Sequence, residues 1–265
     1  MPGLNARKKI LYYCQSLVGV GHLTCSLRII EELLEHADVD LIQGGLDNGA
    51  VLAHAGYRNL RLPTLLHDEA TGDFFSPDAP RDIEEIWSAR RAAIDAFLSP
   101  RYDAIVIEFY PFGRRRFKRE ILGLFSRVRE SSGAVPIFCS VREVLVPRAV
   151  ENERRMLEAV NKHIHTVFVR GDPNIIRFGE TFSLAHELQS RLCYTGYISP
   201  AAPLTFPSRK AQILVSQGGG NVGRELLEAA IGAAALMPDY SFLLAAGSST
   251  TPAEIAELRG RVRSG

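Results

Sequence analysis

An excess of charge of one sign is the first thing this chain lacks. Its 265 residues carry 31 lysines and arginines against 30 aspartates and glutamates, a formal net charge of +1. A general nucleic-acid binder usually carries a basic excess, so that class is disfavoured and only a local basic patch stays open. Cysteine is scarce. Cys14, Cys25, Cys139 and Cys193 are scattered without a C-x-x-C pair, which excludes zinc-site spacing. A chain of this size does not need disulfides to fold. Cys14, Cys139 and Cys193 fall in apolar, strand-like runs and read as small buried core residues. No stretch approaches the ~20 apolar residues of a membrane span. Residues 1–9 are polar and lack the apolar region of a secretion signal, so the expected location is the cytoplasm.

What is present is ordinary soluble composition: 46% hydrophobic, 8% aromatic and 23% charged residues. The length suits one large domain or two modest ones. Short apolar runs alternate with helix-length amphipathic segments. Strands are expected at 9–14, 39–43, 104–109, 135–141, 165–170 and 192–197. Helices are expected at about 24–36, 80–98, 114–130 and 150–164. Continuous β-branched strands separated by helices imply a parallel sheet covered on both faces, a doubly wound, Rossmann-like α/β domain over residues 1–199.

The pattern breaks at SPAAPLTFPSRK, where Pro200, Pro203 and Pro207 forbid a regular helix. Residues 200–210 read as a semi-rigid connector. The rhythm then restarts over 211–265 with strands at 213–216 and 240–246 and helices at 224–236 and 252–262. Two strands cannot bury two sheet faces. The stretch reads as the opening of a second doubly wound domain cut off near its middle, or as a small appendage on the first.

Ligands of open α/β sheets bind beyond the carboxyl ends of the strands, so the strand-to-helix loops are the candidate sites. The first is QSLVGVGH, in which Gly19 and Gly21 allow a tight turn just before a helix N-terminus. It is not a dinucleotide fingerprint, because the third glycine would fall at Thr24. His22 is placed to take a proton from a substrate hydroxyl, or simply to cap the loop. The second loop is EFYPFG. Glu108 breaks an apolar run at a strand end, and a buried carboxylate there needs either a ligand or an ion pair with Arg114 or Arg115.

Arg114, Arg115, Arg116, Lys118 and Arg119 crowd the start of the following helix, where cations oppose the macrodipole. That hints at an anionic partner such as a phosphate or acidic lipid headgroups, although charge runs are usually solvated faces. Arg142 and Glu143 end another strand and either bind substrate or pair with each other. Gly171-Asp172-Pro173 reads as a turn. The densest glycine signal is SQGGGNVG, at 216–223. Gly218, Gly219 and Gly220, with Asn221, expose backbone N–H groups between a strand and a helix, a cradle for a diphosphate. No Gly-Lys-Ser/Thr follows, so it is not a P-loop.

Taken together, ILYYCQSLVGVGHLTCSLRI, IEFYPFGRRRFKREI, FCSVREVLV, YTGYIS and ILVSQGGGNVG resemble the GT-B glycosyltransferases over nearly the whole chain. They are similar to the lineage around the peptidoglycan N-acetylglucosaminyltransferase (family 28-like) and its related family of predicted glycosyltransferases. The resemblance implies an N-terminal half that holds the acceptor and a C-terminal half that holds a nucleotide-sugar, UDP-linked by preference. It implies His22 as general base and Glu108 as a second catalytic residue flanking the acceptor cleft, with Gly19, Gly21, Tyr110, Arg142 and Glu143 on the acceptor side and Gly218, Gly219, Gly220 and Asn221 on the donor diphosphate. A helix dipole would stabilise the leaving group, so neither metal nor cofactor is expected. Peripheral contact with the inner face of a membrane, through the Arg114 to Arg119 run, is a further option. Val20 between Gly19 and Gly21, where the family has a denser glycine run, leaves the acceptor class open. The later half of a donor domain is absent, which leaves transfer by this chain alone in question. The competing expectations are a nucleotide-sugar hydrolase or epimerase, and a glycan-binding fragment without turnover.

Overall fold

The apolar run that follows Lys8 forms strand β1, Lys8–Gln15, and its last five residues are buried. In this computed structural model, which describes residues 7–16, 21–45, 52–67, 71–77, 82–199, 211–218, 223–247 and 250–264, β1 is the third strand of a seven-stranded sheet. The other strands are β2 (Ala37–Gly44), β3 (Tyr57–Arg61), β4 (Ala104–Glu108), β5 (Ile137–Arg142), β6 (Thr166–Arg170) and β7 (Leu192–Tyr194). The spatial order is β3-β2-β1-β4-β5-β6-β7, and every pairing is parallel. Helices α1 (Gly21–Leu33), α2 (Ile83–Phe97), α3 (Lys118–Ser132) and α4 (Val150–His163) make the crossovers. This is the doubly wound α/β sheet that the alternation of apolar runs and helices implies.

Because successive strand residues point to opposite faces, β1 feeds two cores. Leu11 and Tyr13 pack with Ile105, Ile107, Ile121, Leu124 and Phe125 beneath α2, α3 and α4. Tyr12 and Cys14 pack with Leu23, Leu27, Ile30 and Val106 beneath α1. Each such side chain removed from water contributes about 1.5–3 kcal/mol before entropy is counted. The strand order reverses between β1 and β4. That reversal opens a crevice beyond the carboxyl ends of these two strands.

Four details differ from the sequence expectation. Strand β3 (YRNLR) was not expected, since an edge strand alternates polar and half-buried residues and carries no apolar run. Helix α1 begins at Gly21, three residues before Thr24, which puts His22 in its first turn. Residues Ser183–Arg191 form a 3-10 helix that seats Leu184, Ala185 and Leu188 in the larger core. Cys193 is exposed on edge strand β7, whereas Cys14 and Cys139 are buried.

The chain divides into two compact units, the second made mainly of residues 201–265. That unit contains β8 (Gln212–Ser216), α5 (Arg224–Leu236), β9 (Ser241–Ala245) and α6 (Pro252–Ser264). Its two strands pair in parallel, Leu214 opposite Leu243. Among its described residues only Leu227, Ala230 and Leu258 are buried apolar side chains. Residues 200–210, the expected linker, lie outside the described residues. Among the described residues no helix is long and apolar enough to cross a membrane.

Candidate active site at the sheet reversal

His22 and Glu108, 86 residues apart in sequence, meet at the reversal. The crossover after β1 brings His22 to the head of α1, and β4 ends at Glu108 beside it. The His22 Nδ1 to Glu108 Oε1 distance is 2.7 Å. Glu108 is completely buried, while the His22 side chain keeps 22% of its surface open. A carboxylate at this distance accepts from Nδ1–H, and that fixes the tautomer in which Nε2 carries the free lone pair. Among the described residues, a Cβ at Gly21 would meet nothing within 4 Å.

A buried carboxylate needs compensation. It comes from neither Arg114 nor Arg115. Arg114 Nε donates to the Gln15 carbonyl at 2.5 Å, and Arg115 Nη1 donates to Asn152 Oδ1 at 3.0 Å. The partner is Arg170, at the end of β6, whose Nη2 donates to Glu108 Oε1 at 3.2 Å. Burial alone would weaken Arg170 as a cation, but the charge of Glu108 offsets this and its pKa rises on balance. Burial instead lowers the pKa of Arg114, with Glu108 opposing the shift. Arg170 was missed in the sequence, where it read only as the last residue of a strand. The signal was there in form: a lone cation closing an apolar run.

Register explains how two strands so far apart exchange a contact. Glu108 pairs with Ser140 of the intervening strand β5, and Arg170 lies one strand further out. In the register Ser140 lies opposite Phe168, and Arg170, two residues on, lies opposite Arg142. Glu108 Oε2, Arg170 Nη1, Ser16 Oγ and Ser140 Oγ are buried without a hydrogen-bond partner among the described residues. Unspent polar capacity is therefore concentrated at the carboxyl ends of β1, β4, β5 and β6.

Phe109 follows with φ 70, a left-handed conformation rare for a bulky residue. Its N–H donates to the Ser140 carbonyl at 2.9 Å, and its own carbonyl accepts from Gly113 N–H at 2.7 Å. The ring stands edge-on to His22 with centroids 5.2 Å apart. Arg114 and Arg142 approach the ring at 5.6 and 5.8 Å. Such a strained residue is a mark of functional sites, and its cost is of order 1–3 kcal/mol.

The other expected site residues divide. Arg142 is exposed and joins the site through Phe109. Arg142 and Glu143 form no ion pair among the described residues; Glu143 packs against Gly171 instead. Tyr110 corrects the expectation of an acceptor contact. It is 1% exposed and packs against Phe125, because the turn after Phe109 sends its ring into the core.

In the second unit Gly218 has φ 78, a backbone that glycine accepts without strain, and its N–H donates to Ser216 Oγ at 3.2 Å. Gln217 Nε2 donates to Thr250 Oγ1 at 2.8 Å, tying the loops that follow β8 and β9. Gly19, Gly219, Gly220 and Asn221 lie outside the described residues. Among the described residues no group of three or more His, Cys, Asp or Glu side chains is placed to hold a metal ion.

No family model matches the chain, and no curated protein matches it. Fifteen chains among solved structures do match. One is the structure of Phytolacca americana UGT2 complexed with UDP-2fluoro-glucose and pterostilbene. It is 14% identical, with 89% of this chain and 71% of that chain covered and a TM-score of 0.47. At that distance the chemistry of the site stands on its own residues.

Proposed function

We propose that the chain is a GT-B type glycosyltransferase, related to the family 28-like enzymes, that moves a sugar from a nucleotide-sugar donor to an acceptor hydroxyl. UDP-sugars are the favoured donors. The observation that carries this reading is the His22–Glu108 contact at 2.7 Å, with Glu108 fully buried and held by Arg170. An imidazole oriented in this way is a general base, and the carboxylate behind it fixes the ring and stabilises the imidazolium as it forms.

In the proposed step Nε2 of His22 takes the proton of the acceptor hydroxyl while its oxygen attacks the anomeric carbon. The bond from that carbon to the diphosphate oxygen breaks, and the nucleoside diphosphate leaves with the electron pair. Gly218, Gly219, Gly220 and Asn221 are assigned to the diphosphate. The support is the glycine-rich sequence before α5 and the left-handed backbone of Gly218. Backbone N–H groups and the dipole at the head of α5 would offset the developing charge, so the step needs no metal. On this reading residues 1–199 hold the acceptor and 211–265 the donor, with 200–210 between them.

The test is nucleoside diphosphate release from a panel of UDP- and GDP-sugars, with and without a mixed alcohol acceptor panel. Acceptor-dependent release is expected, and His22→Ala should reduce it by roughly 10²- to 10⁴-fold, the usual span for a general base. Release of free sugar at the same rate without any acceptor would replace transfer by hydrolysis. Donor binding with no turnover by any acceptor would leave a binding module.

A further inference from the structure

A second cluster of cations lies on the other side of the sheet from His22, between α2 and α3. The two helices leave a groove of about 400 Å³. Its apolar wall is Phe74, Trp87 and Ile94, with the Phe74 and Trp87 rings edge to face at 5.3 Å. Around this wall stand Arg91, Arg116, Arg119 and Arg127.

What these cations do distinguishes a ligand site from a solvated face. Arg127 pairs with Asp95. Arg116 donates to the Gly72 carbonyl, a neutral acceptor that leaves its charge uncompensated. Arg91 and Arg119 have no acceptor among the described residues. Two carboxylates also line the groove, but Glu120 is already committed: it takes two bonds from Arg90 at 2.8 Å and one from Tyr13. Among the described lining residues, Glu84 is the one other carboxylate beside three guanidinium groups that have no carboxylate partner there. Arg116 and Arg119 also stand at the start of α3, where the helix dipole disfavours cations. An anion between them would relieve both repulsions. Guanidinium forks suit carboxylate and phosphate oxygens, and the aromatic wall would take the apolar body attached to such a head.

We propose that this groove binds an amphiphilic anion, a phosphate or carboxylate head on an aliphatic or aromatic body. The site is separate from the His22 crevice and does not depend on the reaction proposed there. Gly123 keeps the groove open, since a Cβ at that position would meet only the terminal nitrogen of Arg127, at 3.2 Å.

Trp87 is the only tryptophan in the chain, so intrinsic fluorescence reports this groove directly. The full chain would be titrated with octyl phosphate below its micelle concentration, with inorganic phosphate and octanol as separate controls. Vesicles of phosphatidylcholine with and without phosphatidic acid form a further arm. A saturable change with octyl phosphate is expected, weakened about ten-fold for each arginine removed in Arg91→Gln and Arg119→Gln. Gly123→Leu, which fills the groove and keeps every charge, should abolish it. A matching response to phosphatidic acid vesicles identifies a lipid headgroup as the source, and a response to octyl phosphate alone identifies a free amphiphile. No response, an equal response to inorganic phosphate or octanol, or an undiminished response in the folded variants would overturn the proposal.

Discussion

Arg90 shows how single residues set the frame of this molecule. Its side chain is fully buried, yet it is surrounded by polar and aromatic groups. It reaches Glu120 through two nitrogens at 2.8 Å, the Pro63 carbonyl at 2.7 Å and Gln15 Oε1 at 2.8 Å. Trp87 and Phe117 lie 5.6 and 5.4 Å from its guanidinium carbon. One residue thus ties α2, α3 and the end of β1 together, just below the His22 crevice. Removing one member of such a pair strands the other charge, at a cost of about 3–5 kcal/mol. Arg90→Met should therefore lower the free energy of unfolding measured in urea by that much. Arg90→Met with Glu120→Leu, which removes both charges and keeps volume, should recover a large part of it. A double variant no more stable than the single one would mean that the contacts to Pro63 and Gln15 carry the effect.

At the scale of elements, the loop from β4 to α3 carries most of the site, and Gly113 holds it closed. A Cβ on Gly113 would come within 2.3 Å of Phe109 Cδ1 and 2.7 Å of Cε1. The Phe109 ring would have to move, and it is the ring that stands against His22. Overpacking of this kind costs about 1–3 kcal/mol. Gly113→Ala should lower thermal stability and should slow turnover by more than its stability loss explains. Phe109→Leu in the same chain should relieve the clash, so a double-mutant cycle on melting temperature will show the pair less destabilised than the sum. Additive effects would place the two residues out of contact.

The same elements show what could be read in advance. Strands β1, β4, β5 and β6 were legible because buried parallel strands are unbroken apolar runs. Strand β3 was not, since an edge strand needs no such run, and the 3-10 stretch at 183–191 follows neither the helical nor the strand period. Glu108 stood out as a polar residue ending an apolar run, and His22 as an imidazole at the head of a helix beside a glycine turn. Their partner Arg170 did not, because it meets Glu108 only through the register of three parallel strands with a serine in the middle. The cations from Arg114 to Arg119 looked like one patch. Folding sends them apart: Arg114 to Gln15, Arg115 to α4, and Arg116 and Arg119 to the α2–α3 groove.

At the scale of the whole chain, the two units differ in how much core they own. In the first, β1, β2 and β4 hold Leu11, Tyr12, Tyr13, Leu41, Ile105 and Ile107 at zero exposure. In the second, alternate residues of both strands face outward, with Leu214 65% and Leu243 51% exposed. A two-stranded sheet with one packed face is marginal on its own. The surface network of Arg224 and Arg261 with Glu228 and Glu257 adds little, since solvent screening and side-chain entropy offset exposed ion pairs. Local opening free energies follow buried apolar contact, so the second unit should open at lower cost than the first. Hydrogen exchange read by mass spectrometry will report this peptide by peptide. Amides of 212–216 and 241–245 should exchange at least about ten-fold faster than those of 10–14 and 104–108, a gap of about 1.4 kcal/mol or more. The same order should appear in urea, with the second unit lost before the first. Equal protection in the two sets would mean that the units unfold as one. The exposed leucines of β8 and β9 would then have to draw their stability from contacts made outside that unit.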